Sequence, residues 1–294
     1  MVNRQALIGL IGANITKSLA PALHIDAFVA AGITGHYHLM DVDRLPGRTL
    51  KTLLDAVKTA GFLGVNITFP FKQDVIPLLD ALSPEARQIG AVNTVTIAPD
   101  GSTMGYNTDR SGFRLNFEDG LGREGAESKT AVLVGAGGAG SAVAFALMDL
   151  GLKTLIVHDM DGARAATLTA DVNKHFGAGR SRISTRLGDD IAAADGVVNA
   201  TPIGMSGFPG NPVPVDALRA GHWVADVIYS PIETELIRAA RARGARVVTG
   251  GGMCVWQGVD AFRLFTGIAP DAARMHRVFA SALAARDRAL AGVS

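Results

Sequence analysis

The stretch "TAVLVGAGGAGSAVAFALMDLG", Thr130–Gly151, decides how this 294-residue chain folds. An apolar run ends at Gly135, and Gly135, Gly137 and Gly140 complete a G-x-G-x-x-G that opens an apolar helical pattern. The first glycine permits a tight strand-to-helix turn. The second lets backbone approach a pyrophosphate, and the third lets the helix pack close to the strand. The next strand-like run, "TLIVHD", closes in Asp159, about 20 residues on, where a carboxylate can accept the ribose hydroxyls of an adenosine. These features predict a Rossmann-type, doubly wound dinucleotide-binding domain. Asp159 and Asp161 would repel a 2′-phosphate, which favours NAD over NADP; Arg164, on the following helix, is the cation that could reach such a phosphate.

Outward from this segment, short β-branched runs alternate with longer helical patterns. Towards the N-terminus, "ALIGLIG" (6–12), "GHYHLMDV" and "FLGVNITF" read as strands. "LAPALHIDAFVAAG" (19–32) and "LPGRTLKTLLDAVKTAG" read as helices. Such repeats imply an α/β fold with a mainly parallel sheet. Two alternating runs around Pro99-Asp100-Gly101 predict a hairpin. A second strand–helix series runs to about residue 250. Val255, Val259 and Phe262 mark a helix ended by Gly267, and Pro270 opens another carrying Met275, Val278, Phe279, Ala282 and Leu283 on one face. The expected organisation is two domains: an N-terminal α/β domain, 1–110, completed by C-terminal helices within 253–294, and the dinucleotide-binding domain, 111–252.

Composition agrees with a globular chain. Hydrophobic residues make up 48% and charged residues 19%, enough apolar material to exclude disorder. A net charge of +1 gives no electrostatic reason to invoke nucleic acid or a membrane surface. The single cysteine, Cys254, excludes an intrachain disulfide and a multi-cysteine metal site, so no metal is expected. The opening "MVNRQALIGLIGANITKS" resembles neither a signal peptide nor a spanning helix, which leaves the cytoplasm as the expected location. Oligomeric state is not readable here; a homodimer stays open.

In the first domain, "GVNITFPFKQ" (64–73) is an odd strand end. Asn66, Thr68 and Lys72 interrupt an apolar run; either the strand surfaces, with Pro70 starting a helix and Lys72 in solvent, or the strand end presents three polar groups to a small molecule. Ser18, Asn93 and Asp109 stand at other strand and turn ends, and Gln257 lies on the C-terminal helix. These are mainly neutral hydrogen-bonding groups, suited to a small hydroxylated substrate. Each alone has a plainer explanation: Ser18 as a helix cap, Asn93 as a turn former, Gln257 in solvent.

Taken in order, "KSLAPALH", "VNITFPFKQ", "GAVNTV", "YNTD", "VGAGGAGSA", "NATPIGM" and "GGGMCVWQG" resemble the signature segments of the shikimate/quinate dehydrogenases, most nearly the NAD-using bacterial members. The resemblance spans essentially the whole chain. It implies an oxidoreductase that passes hydride between NAD and a cyclic polyol carboxylate, shikimate or quinate, in aromatic amino-acid biosynthesis or quinate catabolism. It implies a substrate domain facing the coenzyme domain across a cleft, with Lys72 and Asp109 as the catalytic pair. Ser18, Thr68, Asn93, Tyr229 and Gln257 correspond to substrate contacts, with Asn66 in support. Gly135, Ala136, Gly137, Gly138, Ala139, Gly140, Asp159, Arg164, Thr201, Val227, Gly250 and Met253 fall at coenzyme positions, Gly250 to Gly252 just ahead of the C-terminal helix.

Two departures from the family pattern stand out. Where NADP-using members carry Asn-Arg-Thr, this chain has Asp159, Met160 and Asp161. Where the family grips the substrate carboxylate with Ser-x-Ser or Ser-x-Thr, it has Ser18, Leu19 and Ala20. The lost hydroxyl keeps open a dehydrogenase for an amino or otherwise modified shikimate. A non-catalytic dinucleotide-binding regulator would require the Lys72 and Asp109 pair to be incidental.

Overall fold

The computed structural model describes residues 5–291. Residues up to Thr108, with those from Val255 onward, form one compact unit, and Asp109–Cys254 form another.

The first unit carries β1 (Gln5–Gly12), α1 (Ala20–Ala30), β2 (Thr34–Asp41), α2 (Leu50–Thr59), β3 (Gly64–Ile67), β4 (Ala81–Leu82), α3 (Pro84–Ile89), β5 (Thr94–Ile97) and β6 (Thr103–Tyr106). Its six strands lie in the order β2-β1-β3-β5-β6-β4. Only β5 runs against its neighbours, paired antiparallel with β3 and β6 in the expected hairpin. β1 is apolar without alternation because it is buried from Ile8 onward, the pattern of a strand covered on both faces. α2 presents Leu50, Leu53, Leu54 and Val57 at i, i+3, i+4 and i+7 to a core that includes Ile11, Met40, Val65 and Ile67.

Three local expectations are corrected. α2 starts at Leu50, five residues later than its sequence pattern, because Thr49 and Thr52 form a reciprocal cap: Thr52 N–H donates to Thr49 Oγ1 (3.2 Å) and Thr49 N–H to Thr52 Oγ1 (2.9 Å). β3 spans only four residues. No helix begins at Pro70; residues 69–75 are successive turns, leading into a short 3₁₀ segment at Ile76–Leu78. Pro77 prevents an α-helix from continuing through this segment, since it cannot donate to the Gln73 carbonyl. The Gln73 carbonyl instead accepts from Ile76 N–H at 3.1 Å.

The second unit begins with α4 (Asp109–Leu121) and continues through β7 (Thr130–Val134), α5 (Gly138–Asp149), β8 (Thr154–His158), α6 (Gly162–Phe176), β9 (Ser181–Ile183), α7 (Leu187–Ala193), β10 (Gly196–Asn199), β11 (Trp223–Asp226), α8 (Glu235–Ala242) and β12 (Arg246–Val248). All strand pairs are parallel, in the order β12-β11-β10-β7-β8-β9. This is the doubly wound arrangement, with the order reversing between β7 and β10. α4 is pinned by a fork of bonds from Arg110 to Asp149 (2.6 and 2.7 Å) and by Phe117, which meets Trp223 edge-on at 4.9 Å.

α9 (Gly250–Thr266) takes in Gly250 to Gly252, which the sequence places ahead of the helix; α10 (Ala272–Ala291) follows. Arg274 on α10 holds Asp26 on α1 through two bonds of 2.7 and 2.9 Å. Among the described residues no helix is long and apolar enough to cross a membrane.

Phe117 is fully buried. Phe117→Ala is expected to cost about 3–5 kcal/mol, read as a lowered urea midpoint at unchanged slope.

Candidate active site

In the second unit the glycine turn occupies the point where strand order reverses. Gly135 has φ +103°, and a side chain there would strike the Ala200 backbone and Thr201. A Cβ at Gly140 would collide with the Gly135 carbonyl, so the start of α5 lies directly on the end of β7. At Gly137 a Cβ would meet nothing within 4 Å. Gly137 is also the N-cap of α5 and makes no side-chain cap. The leading N–H groups, from Gly138 and Ala139, therefore carry the positive end of the helix dipole at an open backbone surface, which suits a pyrophosphate.

Asp159, one residue past β8, accepts from Ala136 N–H at 2.7 Å and, with its other oxygen, from Asp161 N–H at 2.8 Å. The carboxylate is thereby fastened beside the glycine turn. Asp161 caps α6 through Ala163 N–H (3.0 Å) and draws Arg164 to 3.5 Å. Met160 between them is 99% exposed. Val227 donates its N–H to the Asn199 carbonyl, and Gly250 packs so closely that a Cβ would strike the Val227 carbonyl. Met253 is buried in the first turns of α9, and Tyr229 is half-buried beyond β11.

In the first unit, β3 and β5 converge on a network of amides. Asn66 accepts from Tyr37 Oη at 2.9 Å and donates to Thr94 Oγ1 (3.0 Å) and the Asn93 carbonyl (3.3 Å). Asn93 donates to Thr108 Oγ1 and to Gln257 Oε1, both at 3.0 Å, and accepts from Thr108 N–H at 2.8 Å. Gln257 therefore does not sit alone in solvent. His24 stacks on Tyr37 with centroids 4.7 Å apart, and burial pushes its imidazole down to about 3, so it serves as a neutral plate.

The loops after β1 and β3 lie against each other: Ala13 N–H donates to the Phe69 carbonyl at 2.8 Å and Thr68 N–H to the Ile11 carbonyl at 3.0 Å. They carry Ser18, Thr68 and Lys72, all half-buried. Ser18 is not the N-cap of α1, which is Leu19; its Oγ accepts from Ala20 N–H at 3.3 Å. The Lys72 carbonyl accepts from Val92 N–H at 2.7 Å, which fixes its backbone to the segment entering Asn93. Asp109 belongs to the second unit, as the buried first residue of α4, where the helix dipole favours a carboxylate. Lys72 and Asp109 thus arise from different units.

Residues 10–95 match the shikimate dehydrogenase substrate binding domain, and residues 250–278 the shikimate 5′-dehydrogenase C-terminal domain. The quinate/shikimate dehydrogenase (NAD(+)) of Corynebacterium efficiens is 48% identical over 96% of this chain and 100% of its own. The chain belongs to the shikimate dehydrogenase family. Identity is also 48% to the shikimate dehydrogenase (NADP(+)) of Streptomyces avermitilis, over 94% of this chain and 95% of that one. The structure of quinate dehydrogenase from Corynebacterium glutamicum in complex with NAD superposes with a TM-score of 0.86 at 48% identity, covering 95% of this chain and 100% of that one. Like these dehydrogenases, the chain is an α/β oxidoreductase.

Tyr37, Asn199 and Asp226 escape the sequence reading. The signal for Asp226 was present: "WVAD" is an apolar strand closed by an acid, just as "TLIVHD" is. Asp226 accepts from Asn199 Nδ2 (3.1 Å), Ile228 N–H (3.0 Å) and Thr234 Oγ1 (2.7 Å), yet burial holds its carboxyl up at about 6.

The glycines separate folding from binding. Gly140→Ala should cost about 1–3 kcal/mol through overpacking. Gly137→Ala, at φ −79° and in open space, should leave the melting temperature unchanged while raising the KM for the dinucleotide. A melting scan beside a coenzyme titration distinguishes the two.

Asp226 gives a pH dependence. Because its folded pKa is raised, its contribution to stability is full below the ordinary carboxylate value of 3.8 and is lost as pH rises through about 6. The loss is about 3 kcal/mol in all. Asp226→Asn escapes it, so the stability of the variant relative to wild type should rise between pH 4 and pH 8 in paired urea titrations.

Proposed function

We propose that this chain is an NAD-dependent dehydrogenase that interconverts a cyclic polyol carboxylate, quinate or shikimate, and its 3-dehydro ketone. The observation that carries the reading is the Asp159 carboxylate, fastened to Ala136 N–H at the glycine turn. Overall identity is the same to NAD- and NADP-named relatives, so the coenzyme must be chosen locally. The local residues support NAD: a carboxylate at Asp159 suits the ribose hydroxyls, and Arg164, on the following helix, is drawn to Asp161. A 2′-phosphate would meet two carboxylates. Gly135 to Gly140 receive the pyrophosphate, with Thr201, Val227, Gly250 and Met253 towards the nicotinamide end. The coenzyme, when bound, supplies the acceptor for hydride.

The first unit supplies the substrate groups. The Ser18 hydroxyl, its oxygen accepting from Ala20 N–H, has its proton to give to the substrate carboxylate. Thr68, Asn93, Gln257 and, from the second unit, Tyr229 bind ring hydroxyls or the carboxylate, and Asn66 holds Asn93 in register. As the carbinol carbon loses hydride, its hydroxyl proton passes to Lys72 Nζ, and the ketone forms. In the reverse direction Lys72 returns that proton to the developing alkoxide. Asp109, from the second unit, is assigned to hydrogen-bond the same region of the ring.

A second reading follows from Ala20. With one hydroxyl fewer at the carboxylate end, a modified shikimate such as an amino analogue is the competing substrate. We assign the enzyme to the cytoplasm, where NAD and a reduced thiol such as buried Cys254 coexist.

Lys72→Ala should lower kcat by about 10²–10⁴ with little change in KM; turnover within a few-fold of wild type would remove Lys72 from the proton path. A matrix of NAD and NADP against quinate, shikimate and amino analogues, followed by nicotinamide absorbance, tests the rest. Higher kcat/KM with NADP would overturn the coenzyme assignment.

A further inference from the structure

Asn199 and Asp226 are direct partners across β10 and β11, and Asn199 is opposite Val134 on β7, the last residue before the glycine turn. The Asn199 side chain is wholly buried and fully committed. Its Oδ1 accepts from Thr201 N–H (2.9 Å) and Thr201 Oγ1 (2.8 Å), while its Nδ2 donates to Asp226 Oδ1 (3.1 Å) and the Ile203 carbonyl (3.2 Å). Thr201 Oγ1 in turn accepts from Ile203 N–H at 3.1 Å. Ala200 and Thr201 form the wall that any side chain at Gly135 would strike. One amide therefore sets the loop that supports the turn.

An amide can be reversed end for end at almost no cost in shape. Reversal here would put N–H against Thr201 N–H and carbonyl oxygen against Asp226. An ionised carboxylate accepts only, so it forbids the reversed amide. Asn199 Nδ2 and Ile228 N–H share Asp226 Oδ1 while Thr234 Oγ1 donates to Oδ2, so an amide at 226, with a single acceptor oxygen, meets the donors on one side only. The ionised state is costly in this burial, and the groups bonding it, Asn199, Ile228 and Thr234, are all uncharged. The fold thus keeps a carboxylate at a position where burial disfavours its ionised form.

We infer that Asp226 is a positioning residue for the coenzyme: by fixing the Asn199 amide it holds Thr201 in the conformation that supports the glycine turn. This rests on the assignment of that turn to NAD. The test uses the full chain and calorimetric titration with NAD at pH 8, for wild type, Asp226→Asn, Thr201→Val and the double variant.

Asp226→Asn should weaken NAD binding about tenfold, the cost of a mis-set hydrogen bond. The KM for quinate or shikimate should change by less than about twofold, and the melting temperature should not fall. Because both changes act through one loop, the double variant should bind NAD no worse than the weaker single variant. Should Asp226→Asn fail to fold, Asn199→Ser, which interrupts the same chain of bonds, takes its place in the cycle. NAD affinity within about twofold of wild type, or losses that multiply in the double variant, would overturn the inference. Wild type that binds NADP but not NAD would instead defeat the coenzyme assignment itself.

Discussion

At Gly140 the first turn of α5 rests on the carbonyl of Gly135, a separation that any Cβ would abolish. That contact brings the N–H groups at the start of α5 to the end of β7. It also sets the distance from the turn to Asp159 on one side and to Ala200 and Thr201 on the other. The doubly wound sheet exists independently of it, since buried Val and Leu side chains fill the layers. The coenzyme-facing surface does not. It depends on two places without side chains, one for close packing and one for open approach.

The first unit solves a different problem. Its strands end in amides and hydroxyls, and each would be costly to bury without partners. Asn66, Asn93, Thr94, Thr108 and Gln257 satisfy one another, with Tyr37 closing the buried end and His24 stacked behind it. Lys72 is tied to the same region by its backbone.

The alternation of short β-branched runs with helical patterns makes both sheets legible, including the hairpin at Asp100. The glycine turn and Asp159 are legible because their spacing reflects a local geometry. What fails is of two kinds. Local errors come from a competing signal nearby: Pro77 ends what Pro70 seemed to begin, and the Thr49 and Thr52 cap delays α2. The absorption of Gly250 to Gly252 into α9 is a third, since glycine argues against a helix interior until Gly250 is seen packed on Val227 and Gly252 on Asn116. Non-local residues are missed for another reason. Tyr37 and Asn66 stand 29 positions apart, and Asn199 and Asp226 27; no spacing rule marks such pairs, although the acid that closes "WVAD" is itself legible.

Both amide hydrogens of Asn93 are already engaged, one by Thr108 and one by Gln257. If Asn93 meets the substrate as proposed, a ring hydroxyl that accepts from its amide displaces an internal partner, and on leaving hands the bond back. Such an exchange makes occupancy nearly neutral in hydrogen-bond count, so a correct ligand is held by its outline and its charge. A wrong one leaves a protein amide stranded. Discrimination without tight retention is what a turnover catalyst needs, and in that role a residue that looks spent in isolation would supply it.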